Sequence, residues 1–133
     1  MTDTQINQES ERSTTIAKQN DEFRKGMRCI ALGDLLMVTK KTDLKGEVFI
    51  TQGISALNAY VRNMIFKMVQ EFDQFNEDND PYGEHDFGSI EFRGNSIFWK
   101  IDYYDLKREM GSPDPCDPSV THRVLTIMLA EEY

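Results

Sequence analysis

Two alternating runs, DFGSIEFR (86–93) and SIFWKIDYY (96–104), flank Gly94-Asn95. This arrangement constrains the fold more than any other part of the chain. Glycine takes positive φ without a Cβ clash, so Gly-Asn between two such runs signals a two-residue hairpin loop. A turn at Gly94-Asn95 pairs Arg93 with Ser96, Phe92 with Ile97, Ile90 with Trp99, Gly88 with Ile101 and Asp86 with Tyr103. Side chains alternate along a strand, so Ile90, Phe92, Ile97, Trp99 and Ile101 share one face, which must be core. Gly88 leaves room there beside Trp99. The other face is polar and places His85 opposite Tyr104 and diagonal to Asp102.

Helical periodicity dominates elsewhere. Leu57, Val61, Met64, Ile65, Met68, Phe72 and Phe75 recur at spacings of three and four, predicting a central helix over 57–75. Methionine and aromatic residues on such a stripe are core material. Ile16, Phe23 and Met27, with Asn20 between them, mark a first helix that Ser13, Thr14 or Thr15 can cap. Residues 1–12 are polar and mixed in charge and read as a disordered tail. DLLMVTK (34–40) and GEVFIT (46–51) read as strands paired around the polar KTDLKG loop. After the proline-rich GSPDPCDP connector, Asp117 as N-cap and Pro118 at the first helical position predict a last helix, with Val120, Val124, Ile127 and Met128 inward. These elements compose one α+β domain over 13–133, in the order α-β-β-α-β-β-α. Its antiparallel sheet has about four strands, and its three helices cover one sheet face.

Charge is the most informative bulk property. Residues 1–67 carry 10 Lys/Arg and 8 Asp/Glu; residues 68–133 carry 5 and 15, so the net −8 arises from +2 and −10. So negative a half repels a nucleic-acid backbone and favours a protein partner with a basic surface, without direct nucleic-acid contact. No apolar run reaches the roughly 20 residues of a membrane helix, and no secretory h-region is visible. Cys29 and Cys116 have no CxxC partner. They read as two reduced, structural thiols of a cytoplasmic chain.

The acidity concentrates between the central helix and the hairpin. Seven of the sixteen residues 71–86 are acidic and none is Lys or Arg; the segment includes EDNDPYGEHDFG (77–88). An EF-hand loop starting at Asp78 would put Tyr82 at position five and Ser89 at position twelve, so the bidentate carboxylate is missing. Zinc spacing among Cys29, Cys116, His85 and His122 is absent, as are phosphate loops and hydrolase motifs, so no metal and no cofactor is expected. Asp80-Pro81-Tyr82-Gly83 reads as a turn that either presents Tyr82 or folds it back. The candidate binding surface is Glu77, Asp78, Asp80, Tyr82, Glu84 and Asp86. The alternative is a small hydrolase or transferase using His85, Asp102 and Glu84 as an acid–base cluster with an optional divalent cation. Against it stands a structural His85–Asp102 clasp, since no nucleophile or phosphate cradle accompanies the pair.

NDEFR (20–24), VFITQGI (48–54), EDNDPYGEHDFG (77–88), FWKIDYYD (98–105) and RVLTIMLAEEY (123–133) together resemble a domain-of-unknown-function family of small bacterial proteins. Members are often encoded on plasmids and other mobile elements. The resemblance covers most of 46–133 and part of the first helix. It implies no activity and no catalytic residues. With the charge, it points to a non-enzymatic interaction protein, such as a mobile-element inhibitor of a host defence or processing protein.

Overall fold

A computed structural model describes the backbone of residues 2–32, 35–40 and 42–133, and the side chains of 2–28 and 42–133. The fold is α+β. Helix α1 (Asp3–Lys25) leads into a two-stranded hairpin of β1 (Met27–Leu32) and β2 (Leu35–Lys40). β3 (Gly46–Ile50), the short α2 (Gln52–Ser55) and α3 (Ala59–Gln70) follow. β4 (Phe87–Phe92), β5 (Asn95–Tyr104) and β6 (His122–Leu129) complete a four-stranded sheet in the order β3-β6-β5-β4.

α1 starts ahead of the expected caps. Thr2 is its N-cap, in a reciprocal capping box with Gln5, while the Thr14 and Thr15 hydroxyls donate back to Ser10 O and Glu11 O in mid-helix. Residues 3–12, expected as a disordered tail, form its first turns, and every one of them is exposed. Ile16, Asn20, Phe23 and Met27, the stripe read from the sequence, are buried, and Ala17 and Arg24 are buried beside them. Gly26 ends the helix.

Four expectations need correction. The first hairpin is β1 with β2, from Met27 opposite Lys40 to Leu32 opposite Leu35; β2 and β3 are not a hairpin. Asp34, expected at the head of that strand, and the Cys29 side chain lie outside the described residues. β3 instead pairs parallel with β6, Gly46 with Arg123 through Ile50 with Ile127, so the sheet is mixed rather than antiparallel.

The expected last helix is the second correction. Pro118–Val120 makes only a single 3-10 turn, with Asp117 accepting from Ser119 N, and the chain then becomes β6. β6 is an inner strand, so Val124 and Met128 on one face are buried along with Leu125 and Ile127 on the other. A strand buried on both faces loses its alternation and shows an unbroken apolar run, which periodicity cannot distinguish from a helix.

Third, α3 stops at Gln70 rather than Phe75. Arg24 supplies the stop: its Nη1 donates to Val69 O at 2.9 Å and to Gln70 O at 3.0 Å, capturing carbonyls that another helical turn would use. Past that point Phe72 and Phe75 pack edge-on against Trp99, with centroids 5.5 and 6.1 Å away.

Fourth, the second hairpin turns at Arg93-Gly94, with φ of 50° and 79°. Such a turn favours glycine second, so Phe92 faces Asn95, Ile90 faces Ile97 and Gly88 faces Trp99. The pairing moves by two residues, an even number, so both expected faces survive. Ile90, Ile97, Trp99 and Ile101 are buried with Phe23, Val61, Ile65, Val69, Leu125 and Ile127 in one core beneath the helices. Among the described residues, no α-helix covers the opposite sheet face, which carries an open groove.

Candidate functional site

The acidic segment is built around one inward carboxylate. Asp80 is buried at 8% exposure; its Oδ1 accepts from Glu84 N at 3.0 Å and His85 N at 3.1 Å. Gly83 N donates to Asp80 O at 3.0 Å, closing the expected turn, and Tyr82 at its tip is 78% exposed. Asn76 Oδ1 accepts from Asp78 N and Asn79 N, while Asn79 Oδ1 accepts from Asn76 N. These bonds give the exposed Glu77 and Asp78 a stiff base. Asp80 therefore organises the loop, and the remaining candidates, Glu77, Asp78, Tyr82, Glu84 and Asp86, form its accessible surface.

His85 takes a left-handed backbone with φ 57°, which turns its side chain off the line of β4. Its ring stacks on Phe75, centroids 3.9 Å apart and 3° from parallel. Nδ1 lies 3.0 Å from both carboxylate oxygens of Asp21 on α1, and Nε2 lies 3.8 Å from Asp80. Asp21 also accepts from Arg24 Nη2 at 2.9 Å. A continuous polar chain thus runs from Asp80 through His85 and Asp21 to Arg24 and the end of α3. The expected His85–Asp102 contact does not form. Asp102 pairs with Lys100 at 3.0 Å on the open sheet face, so the trio of the enzymatic reading is divided. No sequence signal singles out Asp21, which lies 64 residues from His85.

This geometry makes His85→Ala and Asp21→Asn costly by about 1–2 kcal/mol each. The two losses should be strongly sub-additive in urea denaturation, whereas His85→Ala and Asp102→Asn should simply add. Coupling between His85 and Asp102 in place of Asp21 would contradict the assignment.

Glu84 and Asp86 are half-buried, and burial raises both carboxyls above their ordinary range, with neighbouring carboxylates adding to it. For Glu84 the neighbours are Asp86 and Asp80, opposed by Arg12. A carboxyl whose folded pKa is raised binds protons more readily folded than unfolded, so its charge costs stability at neutral pH and the cost disappears as pH falls through the raised pKa. Glu84→Gln should therefore raise the urea midpoint at pH 7, and the gain should shrink as pH drops into the carboxylate range. A neutral or lower midpoint at pH 7 would refute it.

The open sheet face forms a second surface that sequence reading missed. A groove of about 730 Å³ is lined by Glu47, Phe49, Lys100, Asp102, Thr126 and Met128, with Tyr133 and Arg108 among its further walls. Glu47 accepts from Arg108 at 2.9 Å and lies 2.8 Å from His122 Nε2, and its carboxyl is lowered first by Arg108 and then by His122. His122, which the expected last helix would have carried, is instead the first residue of β6 and points onto this face. Charges of both signs are thus already paired there. Among the described residues, no three His, Cys, Asp or Glu side chains converge as a metal would require. No described helix is long and apolar enough to cross a membrane.

Residues 50–132 match the model of a family described as a protein of unknown function, DUF3768. The chain belongs to the DUF3768 family. The matched span runs from the end of β3 through the acidic segment to the last turn, so it contains the acidic segment and most of the groove on the open sheet face, but not Glu47, Phe49 or Tyr133. α1 and the first hairpin precede it. No curated protein and no solved structure matches the chain.

Proposed function

We propose that this DUF3768 chain is a non-enzymatic interaction protein. Its acidic surface occupies a basic, nucleic-acid-binding surface of a host defence or processing protein, as a mobile-element inhibitor would. One observation carries the reading: Glu71, Asp73, Glu77 and Asp78 are exposed, and among the described residues none of them is in an ion pair. Carboxylates fixed on a stiff loop imitate a row of phosphates and attract cationic side chains over a Debye length. The same field opposes direct binding of nucleic acid. The resemblance to families carried on mobile elements favours a host target.

The test starts from a basic partner retained by the protein from its host and then purified. Affinity should fall steeply as salt rises through the physiological range, nucleic acid should compete, and Glu77→Lys/Asp78→Lys should abolish binding. A salt-insensitive complex would sink the reading.

A further inference from the structure

We propose that the outer edge of β4 binds a basic, extended peptide segment as an added strand. The inference rests on the acidic-interaction reading and names the chemistry of the partner. β4 is the end strand of the sheet. Ile101 N donates to Asp86 O at 2.9 Å, and main-chain direction alternates along an antiparallel ladder. Asp86, Gly88, Ile90 and Phe92 thus face β5, while the N–H and C=O groups of Phe87, Ser89 and Glu91 face away from the sheet. Among the described residues, nothing bonds those three sets of main-chain groups.

Proteins usually blunt such an edge with proline, lysine or a bulge. β4 has neither residue, and its register with β5 runs unbroken from Phe87 to Phe92. Beside it lies a groove of about 370 Å³. Met68, Phe72 and Ile90 give the groove an apolar floor, and Glu71, Asp73 and Glu91 give it an acidic rim. A strand laid along the edge would bond Phe87, Ser89 and Glu91 through its main chain. Its alternate side chains would meet the floor and rim on one side and the Ser89–Glu91 surface on the other. Charge selects the occupant. A second copy would bring its own Glu71, Asp73 and Glu91 against the same rim, so self-pairing is disfavoured, whereas alternating Lys/Arg and aliphatic residues suit both the floor and the rim.

The probe is a capped peptide of about eight residues alternating Lys and Val, compared with one N-methylated on the residues facing β4. The unmethylated peptide should shift and protect the amides of Phe87, Ser89 and Glu91 in NMR exchange, and methylation should weaken binding at least about tenfold. Ser89→Pro should weaken it as much, because the Ser89 N–H faces outward and β5 does not use it. Glu71→Lys/Glu91→Lys should weaken it as well with the edge intact. Equal binding of both peptides overturns strand addition, as does no binding of either. A folded basic partner that binds Ser89→Pro as tightly as wild type also overturns it, yet leaves the acidic-surface reading standing. A concentration-dependent dimer that Ser89→Pro abolishes would assign the edge to a second copy instead.

Discussion

Gly88→Ala is expected to destabilise the protein by about 3 kcal/mol, the upper end of what overpacking a tight core costs. A Cβ at Gly88 would lie 2.2 Å from Trp99 Nε1 and 2.6 Å from Cε2, distances no real contact sustains. The indole cannot retreat. It is fully buried, flanked by Phe72 and Phe75, with the Arg24 guanidinium 5.0 Å over its ring. The hairpin register makes the clash direct, because Gly88 sits opposite Trp99. The measurement is a urea midpoint followed by far-UV circular dichroism, with Trp99→Leu and the double mutant beside it. Shrinking the ring should recover much of the Gly88→Ala loss in that background. Equal losses with and without the indole would locate the cost elsewhere, in backbone conformation for instance.

Asn20→Ala is expected to cost about 3–4 kcal/mol, more than one ordinary hydrogen bond, because the buried side chain serves three partners, one of them a buried guanidinium. Its Oδ1 accepts from Arg123 Nε at 2.9 Å, and its Nδ2 donates to Glu84 O at 2.9 Å and the Tyr103 hydroxyl at 2.8 Å. Asn20 and Arg123 are both fully buried, and Arg123 Nη1 already lacks a hydrogen-bond partner. Burial lowers the pKa of Arg123, so its charge is held in place by neutral acceptors: Asn20, Gln19 and Pro115 O. Removing one leaves a buried cation further undersolvated, the case in which breaking a polar contact is most costly. Because Asn20 also ties α1 to the acidic segment through Glu84 O, the mutant should lose amide protection in residues 80–86 first. Hydrogen exchange checks the order of opening, and chemical denaturation the magnitude. A loss below about 1 kcal/mol would show that water replaces the network at little cost.

These two sites show how unevenly the fold was legible. The role of Gly88 was readable because glycine within a strand, opposite an aromatic run, has few other uses. The role of Asn20 was not, though its place on the apolar stripe of α1 was plain. A polar residue at a core position announces a partner but never names it. Arg123 lies 103 residues away, in a segment whose apolar pattern suggests a helix.

The amino-acid sequence by itself determined the local periodicities and their direct consequences: an α+β chain, the stripe of α1, both faces of the β4–β5 hairpin, the Asp80–Gly83 turn and the concentration of acid between α3 and β4. Tertiary structure decided everything that depends on a neighbour distant in the chain. β6 is a strand because β3 and β5 flank it, and burial on both its faces removes the alternation by which a strand is recognised. α3 ends where Arg24 takes its carbonyls. His85 answers to Asp21 because its left-handed backbone turns it away from the sheet that holds Asp102. In each case the local preference is worth tenths of a kcal/mol per residue, while burying an apolar side chain or satisfying a buried charge is worth several-fold more. Where local preference and burial conflicted, burial prevailed.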